Sequence, residues 1–154
     1  MIEQITDLWS LPCEARCITT NGTIKTDGRA VMGRGVAKQA TERYVGIAKL
    51  LGAHLREHGN HVGILALTDD PEHGPPIPLV SFPVKHLWDQ WADLDLIGRS
   101  ADELVALTDR RGWARVVLPR PGCNNGKRNW EQEVRPILAP ILDDRFVVVT
   151  NGQP

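Results

Sequence analysis

The sequence predicts an α/β fold, a mostly parallel sheet of about six strands covered by helices on both faces. Three observations carry this expectation. Short apolar runs recur along the chain and are bounded by turn residues. Longer segments between them repeat apolar residues at helical spacing. The two kinds alternate, and strands joined through helical crossovers lie parallel and are buried on both faces.

Ile2–Ile5 is a short first strand, and Ala15–Thr20 (ARCITT) a compact second one that runs into the turn signal Asn21-Gly22. Residues 21–33 form a long polar loop with Gly22, Gly28 and Gly33. A helix is expected from near Gly35 through Val36, Ala37 and Ala40 to Tyr44. A second covers 46–58, with Ile47, Leu50, Leu51, Leu55 and His58 on one face, and Gly59-Asn60 stops it. Val62–Thr68 (VGILALT) reads as a buried strand, and Asp69–Pro78 as a turn-rich excursion with four prolines. Leu79–Phe82 is the next strand, ended by Pro83. The clearest helix spans 93–111: Leu94, Ile97, Ala101, Leu104, Val105 and Thr108 share one face, charges fill the other, and Gly112 stops it. Ala114–Leu118 is a strand, and Pro119–Asn129 a second loop rich in glycine and asparagine. Trp130–Leu142 is a helix with Trp130, Val134, Ile137, Leu138 and Ile141 inward, and Phe146–Thr150 closes the sheet.

Composition narrows the function. The 154 residues carry no internal repeat or linker and read as a single domain over 1–154. With 42 % hydrophobic and 24 % charged residues the chain is globular, not disordered. Eighteen Lys and Arg against 19 Asp and Glu leave a net charge of −1, which argues against non-specific nucleic-acid binding. No apolar run is long enough to span a bilayer, so no membrane partner is expected. Met1-Ile2-Glu3-Gln4 lacks the basic start of a signal peptide, and Cys13, Cys17 and Cys123 make no disulfide framework. A reduced, cytoplasmic location is expected, and the small size and balanced charge suit a monomer. Cys13 and Cys17 read as small buried residues rather than metal ligands, so neither a metal nor a cofactor is expected.

In a sheet of this kind, ligands bind beyond the carboxyl ends of the strands. That selects the segments 21–35, 82–88, 119–129 and 151–154. In the first, Gly33-Arg34-Gly35 opens a helix, where free amides favour phosphate. It is neither a dinucleotide fingerprint nor a P-loop, and alone it reads equally well as a turn that starts a helix. Leu118 to Trp130 likewise leaves a strand and leads to a helix. Two such loops on one edge can hold a diphosphate between backbone amides.

Together, Ile5-Thr6-Asp7-Leu8, the stretch Asn21 to Ala37 with Met32-Gly33-Arg34-Gly35-Val36-Ala37, Phe82-Pro83-Val84-Lys85, and Leu118-Pro119-Arg120-Pro121-Gly122-Cys123 with Trp130 resemble the macro domain family. The resemblance covers nearly the whole chain. It points to the branch of the terminal ADP-ribose glycohydrolases and the antitoxin macro domains that remove ADP-ribose from DNA. It implies a three-layer α/β/α sandwich that takes ADP-ribose or an ADP-ribosylated substrate as its partner. Asp7 would then accept from the adenine amino group, although an aspartate there is equally a helix cap. Leu8 would lie under the adenine, Asn21 at the distal ribose, and Gly33, Arg34, Gly35 and Val36 at the first diphosphate loop. Pro119, Gly122, Cys123, Asn124, Asn125 and Gly126 would form the second loop, Phe82 to Lys85 would flank the cleft, and Asn151 would border the adenine pocket.

The second loop lacks the acid of the hydrolytic glycohydrolases, and Lys38 lies closer to the glycine motif than that branch's lysine. The candidate catalytic residues are therefore Asn21, Asp27 as a general base and Lys85 as a charge stabiliser at the distal ribose, with an activated water or a lysine attacking C1″. Asp27 reads equally as a turn residue before Gly28, and Lys127 as surface charge. His54, His58 and His61 read as a polar helix end rather than a zinc site, and His86, Trp88 and Trp91 as a cluster packing a helix on the sheet. No basic partner is evident for Cys123 as a nucleophile. The expected activity is hydrolysis of an ADP-ribosyl linkage on a protein, a nucleic-acid base or a small ADP-ribose derivative. The alternatives are a non-catalytic ADP-ribose reader and an ADP-ribose 1″-phosphate phosphatase.

Overall fold

Six strands rich in β-branched and aliphatic residues pair into one sheet in the computed structural model, which describes residues 1–69 and 74–151. They are β1 (Ile2–Ile5), β2 (Ala15–Asn21), β3 (Gly63–Thr68), β4 (Ile77–Lys85), β5 (Val116–Pro119) and β6 (Phe146–Thr150). Their order across the sheet is β1-β6-β5-β2-β4-β3. Every neighbouring pair is parallel except the edge pair of β3 and β4. Helices α1 (Gly35–Arg43) and α2 (Ile47–His58) follow β2, and α3 (Leu94–Arg111) follows β4. A π-helical turn (Trp130–Val134) and the short α4 (Arg135–Leu138) follow β5.

Strand alternation builds the three layers. Phe82, Leu118, Phe146 and Val148 pack against Ile97 and Leu104 of α3 and Leu138 of α4. Ile18, Leu79, Val117, Val147 and Val149 face the other way, onto Ala40 of α1 and Leu51 and Leu55 of α2. The chain winds α1 and α2 over one face after β2, then α3 over the other after β4. β2 pairs with β5 only through Ala15↔Val116 and Arg16↔Val117. Past that point a space opens at the carboxyl ends of the central strands.

Several elements differ from the sequence expectation. β4 does not end at Pro83 but runs to Lys85, because β3 pairs only as far as Ser81 and leaves one side of β4 open to a residue without an N–H. β3 is an edge strand rather than a buried one, and Leu67 is 68 % exposed. On α2, Leu50 and His58 face solvent and Gly52 is the buried neighbour of Leu51 and Leu55. The expected helix 130–142 begins as a π turn, with Arg135 N–H donating to the Trp130 carbonyl five residues back. Trp130, Val134, Leu138 and Leu142 are its buried residues, spaced by four, and Ile137 and Ile141 are half-buried. The excursion expected over Asp69–Pro78 lies partly outside the described residues, and its last two residues belong to β4. Among the described residues no helix is long and apolar enough to cross a membrane.

Candidate functional site

The parallel strands β1, β2, β4, β5 and β6 all end on one edge, and their trailing loops enclose a cleft of about 790 Å³. Thr6, Asp7 and Leu8 after β1 form one end, with Thr150 and Asn151 after β6. Val31 to Ala37 form one wall and the loop from Pro119 to Trp130 the other. Val84, Lys85 and Trp88 close the far end, and Thr19, Thr20 and Asn21 lie on the floor strand.

The first wall is the start of α1. Arg34 caps the helix with extended backbone and no side-chain hydrogen bond, so no side chain occupies the first-turn amides. Gly35 has a φ of +57°, and a Cβ there would come 2.9 Å from Asn125 Nδ2 of the opposite loop. The two loops therefore approach closely across the cleft, and the left-handed backbone at Gly35 favours glycine there. Asn21 holds this wall from below: its Nδ2 donates to the Val31 carbonyl at 3.0 Å and its Oδ1 accepts from Thr23 N–H at 2.9 Å. One amide hydrogen and one lone pair remain for a ligand.

The second wall is a backbone coil drawn tight by its own bonds. Arg128 N–H donates to the Gly122 carbonyl at 2.9 Å, and Ala92 N–H to the Gly126 carbonyl at 3.1 Å. A Cβ on Gly126 would meet the Gly122 carbonyl oxygen at 2.5 Å. Asn129 ends the loop by capping the π turn: its Oδ1 accepts from Gln132 N–H, and Glu133 accepts from Asn129 N–H, each at 2.8 Å. Burial pushes the Cys123 thiol up to about 11, so it is protonated and a poor nucleophile near neutrality.

The two ends differ in charge. Asp7 accepts from Ser10 Oγ at 2.6 Å through one oxygen, leaving the second for a ligand donor. Leu8 beside it is buried yet lines the cleft. At the other end Lys85 Nζ donates to the carbonyls of Trp88 at 3.3 Å and Asn125 at 3.2 Å. Burial, then repulsion from Arg34 and Lys127, holds the Lys85 ammonium below the usual lysine range.

Among the residues singled out from sequence, Asp7, Leu8, Asn21, Gly33, Arg34, Gly35, Val36, Lys85, Pro119, Gly122, Cys123, Asn124, Asn125, Gly126 and Asn151 line the cleft. Two do not. Asp27 lies outside the lining, at an exposed turn, where it accepts from Arg29 at 2.6 Å. The turn packs on α2, with Arg56 donating to the Gly28 carbonyl at 2.8 Å, so loop 21–33 does not fold Asp27 over the cleft. Phe82 is fully buried on the α3 face, two residues deeper than Val84, which does line the cleft. Trp88 and Trp91 do not pack a helix on the sheet, being 51 % and 56 % exposed, and Trp88 borders the cleft. Gln39 and Arg128 also line it; sequence reasoning missed Gln39 because it lies within α1 beyond the glycine motif, and Arg128 because only Pro119, the glycines, Cys123 and the asparagines of its loop were assigned to the ligand. His54 and His61 are joined through a hydrogen bond to the His61 carbonyl, and His61 pairs with Glu103 at 2.8 Å. Among the described residues no group of three His, Cys, Asp or Glu side chains is placed to hold a metal.

No family model matches the chain, and no curated protein does. Solved structures do. The macrodomain of DarG from Mycobacterium tuberculosis is 22 % identical over 96 % of this chain and 95 % of that one, with a TM-score of 0.75. The macrodomain of Thermus aquaticus DarG is 23 % identical over 99 % of this chain and 97 % of that one, with a TM-score of 0.74. Thermosipho africanus DarTG, solved in complex with ADP-ribose, is 15 % identical over 96 % of this chain and 41 % of its own length, with a TM-score of 0.76. The fold of this chain is thus the macrodomain fold.

Proposed function

We propose that the cleft binds ADP-ribose and that the protein hydrolyses an ADP-ribosyl linkage. One observation carries the reading: two glycine loops meet across the cleft between a carboxylate at one end and a partly desolvated lysine at the other. Asp7 accepts from the adenine amino group while Leu8 packs under the ring. Backbone amides of both loops hold the diphosphate, as helix starts and amide concavities hold phosphates elsewhere. Asn21 and Lys85 meet the distal ribose. A solved protein of the same fold, Thermosipho africanus DarTG, is described as a complex with ADP-ribose, which supports the choice of ligand.

For hydrolysis, Lys85 Nζ in its neutral form attacks C1″. The N–C1″ bond forms as the bond to the acceptor breaks, and the acceptor leaves with the proton released by the amine. Water then cleaves the N–C1″ linkage, which returns the amine and frees ADP-ribose. Burial and nearby positive charge favour the neutral amine that this step needs.

A second reading, an ADP-ribose reader without turnover, is favoured by two features. Lys85 Nζ is already tied to two carbonyls, and Asp27 does not line the cleft. The test incubates purified protein with an ADP-ribosylated protein, an ADP-ribosylated oligonucleotide and ADP-ribose 1″-phosphate. Release of ADP-ribose from either of the first two, lost in Lys85→Ala with binding retained, supports the hydrolase. Binding without release identifies a reader, and phosphate release alone identifies a phosphatase.

A further inference from the structure

We propose that Arg16 positions the Asp7 end of the cleft and thereby sets which base the site accepts, an inference that rests on the reading of the cleft as an ADP-ribose site. Arg16 belongs to β2 in the middle of the sheet and is 4 % exposed. Alternation puts it on the α1–α2 face with Ile18, which is an apolar layer. Among the described residues no carboxylate pairs with it. Its Nη1 donates to the carbonyl of Leu8, and to that of Leu11 at 3.2 Å.

A buried guanidinium without a counter-ion is costly, and hydrogen bonds must offset the lost hydration. Both contacts of Arg16 go to one place, the turn that carries Asp7 and Leu8 from β1 into the cleft. Ser10 N–H donates to the Asp7 carbonyl at 3.3 Å and closes that turn from within. Trp9 pins its side chain to α1, with Nε1 donating to Gln39 at 2.8 Å and the Arg43 guanidinium 4.7 Å over the ring. Arg16 instead holds the turn by its backbone carbonyls.

That placement matters for base choice. The second oxygen of Asp7 accepts a hydrogen, so it suits the amino group of adenine. Hypoxanthine presents a carbonyl oxygen at the same position, which a carboxylate repels. The discrimination depends on where the turn sets the carboxylate, and Arg16 fixes the turn without touching the ligand.

The test uses wild type and Arg16→Met, which fills similar space without donors or charge. Each is titrated with ADP-ribose, inosine diphosphate ribose and ribose 5-phosphate, and amide hydrogen exchange is read over residues 7–11 without ligand. The expected result is a fall of roughly tenfold or more in ADP-ribose affinity, since bonds from a charged donor are the stronger ones. Affinity for the inosine analogue, which shares only the Leu8 packing, falls less and that for ribose 5-phosphate stays unchanged, so the preference for adenine narrows, and exchange in the turn rises. A general structural weakening would lower all three affinities together, and that result overturns the proposal, as does an unchanged preference. If Arg16→Met fails to fold, Arg16→Lys serves, since the shorter lysine stem sets its ammonium back from the point where Arg16 Nη1 meets both carbonyls. An intermediate preference is then expected, and an unchanged one overturns the proposal. If wild type binds neither nucleotide, the ADP-ribose reading falls and the proposal with it. If wild type prefers ADP-ribose and the variants do too, only the role of Arg16 falls.

Discussion

Lys85 is the residue on which the proposed chemistry at this cleft turns. Its Nζ sits half-buried at the end of β4, beside Arg34 and against two carbonyls. Removing the amine in Lys85→Ala is expected to lower turnover by about a hundredfold or more, with ADP-ribose affinity held within about threefold. Single-turnover rates and calorimetry on the same preparation check this. In the proposed step the nucleophile is the neutral amine, so the rate should climb as pH rises toward the Lys85 pKa, which lies below the ordinary lysine value, and then level off. Asp27→Ala should leave both rate and affinity unchanged, because that carboxylate is paired with Arg29 outside the cleft. Lys85 was legible in the sequence because the end of a parallel strand faces the ligand edge. Asp27 and Phe82 were not. The path of loop 21–33 depends on its packing against α2, and the face Phe82 takes depends on strand register; neither is a local property.

At the level of elements, caps and close approaches set the geometry. Asp93 caps α3, accepting from Leu96 N–H at 3.0 Å, and that bond is the main cause of its lowered pKa. Asp93→Ala should destabilise the protein by about 1 kcal/mol in urea unfolding, and Asp93→Asn by less. Gly35→Ala combines a left-handed backbone with contact at 2.9 Å from Asn125, so it should weaken ADP-ribose binding while the fold persists. Circular dichroism and calorimetry separate these effects. The α3 boundaries were readable to within a residue, from its apolar stripe and Gly112. The π turn was not readable. Asn129 and Glu133 signal a helix start, but the five-residue bond register reflects Pro136, which has no N–H to donate to the preceding turn, and the packing of Trp130.

At the scale of the whole molecule, ion pairs bind the last segments to the sheet. Arg135 donates to Glu3 at 2.8 Å, holding that carboxyl below its ordinary range, and Arg145 does the same to Asp143. Asp93 is lowered as well. A carboxyl with a folded-state pKa below its unfolded value adds stability that is fully present above the unfolded value, at about pH 4 to 5. That stability is lost as pH falls through the folded value. Urea midpoints should therefore hold near neutrality and drop below about pH 4. Glu3→Gln should flatten that drop. Alternation of strands and helices made the layered architecture legible, while the reversed direction of β3 was not, because an edge strand and a buried one share the same short apolar pattern. The most direct measurement is a calorimetric titration of the purified protein with ADP-ribose, with ADP and AMP as controls. Saturable one-site binding, roughly tenfold or more tighter for ADP-ribose than for ADP or AMP, is the predicted result. No binding to any of the three, or equal affinity for all, would contradict an ADP-ribose site at the meeting of the two glycine loops.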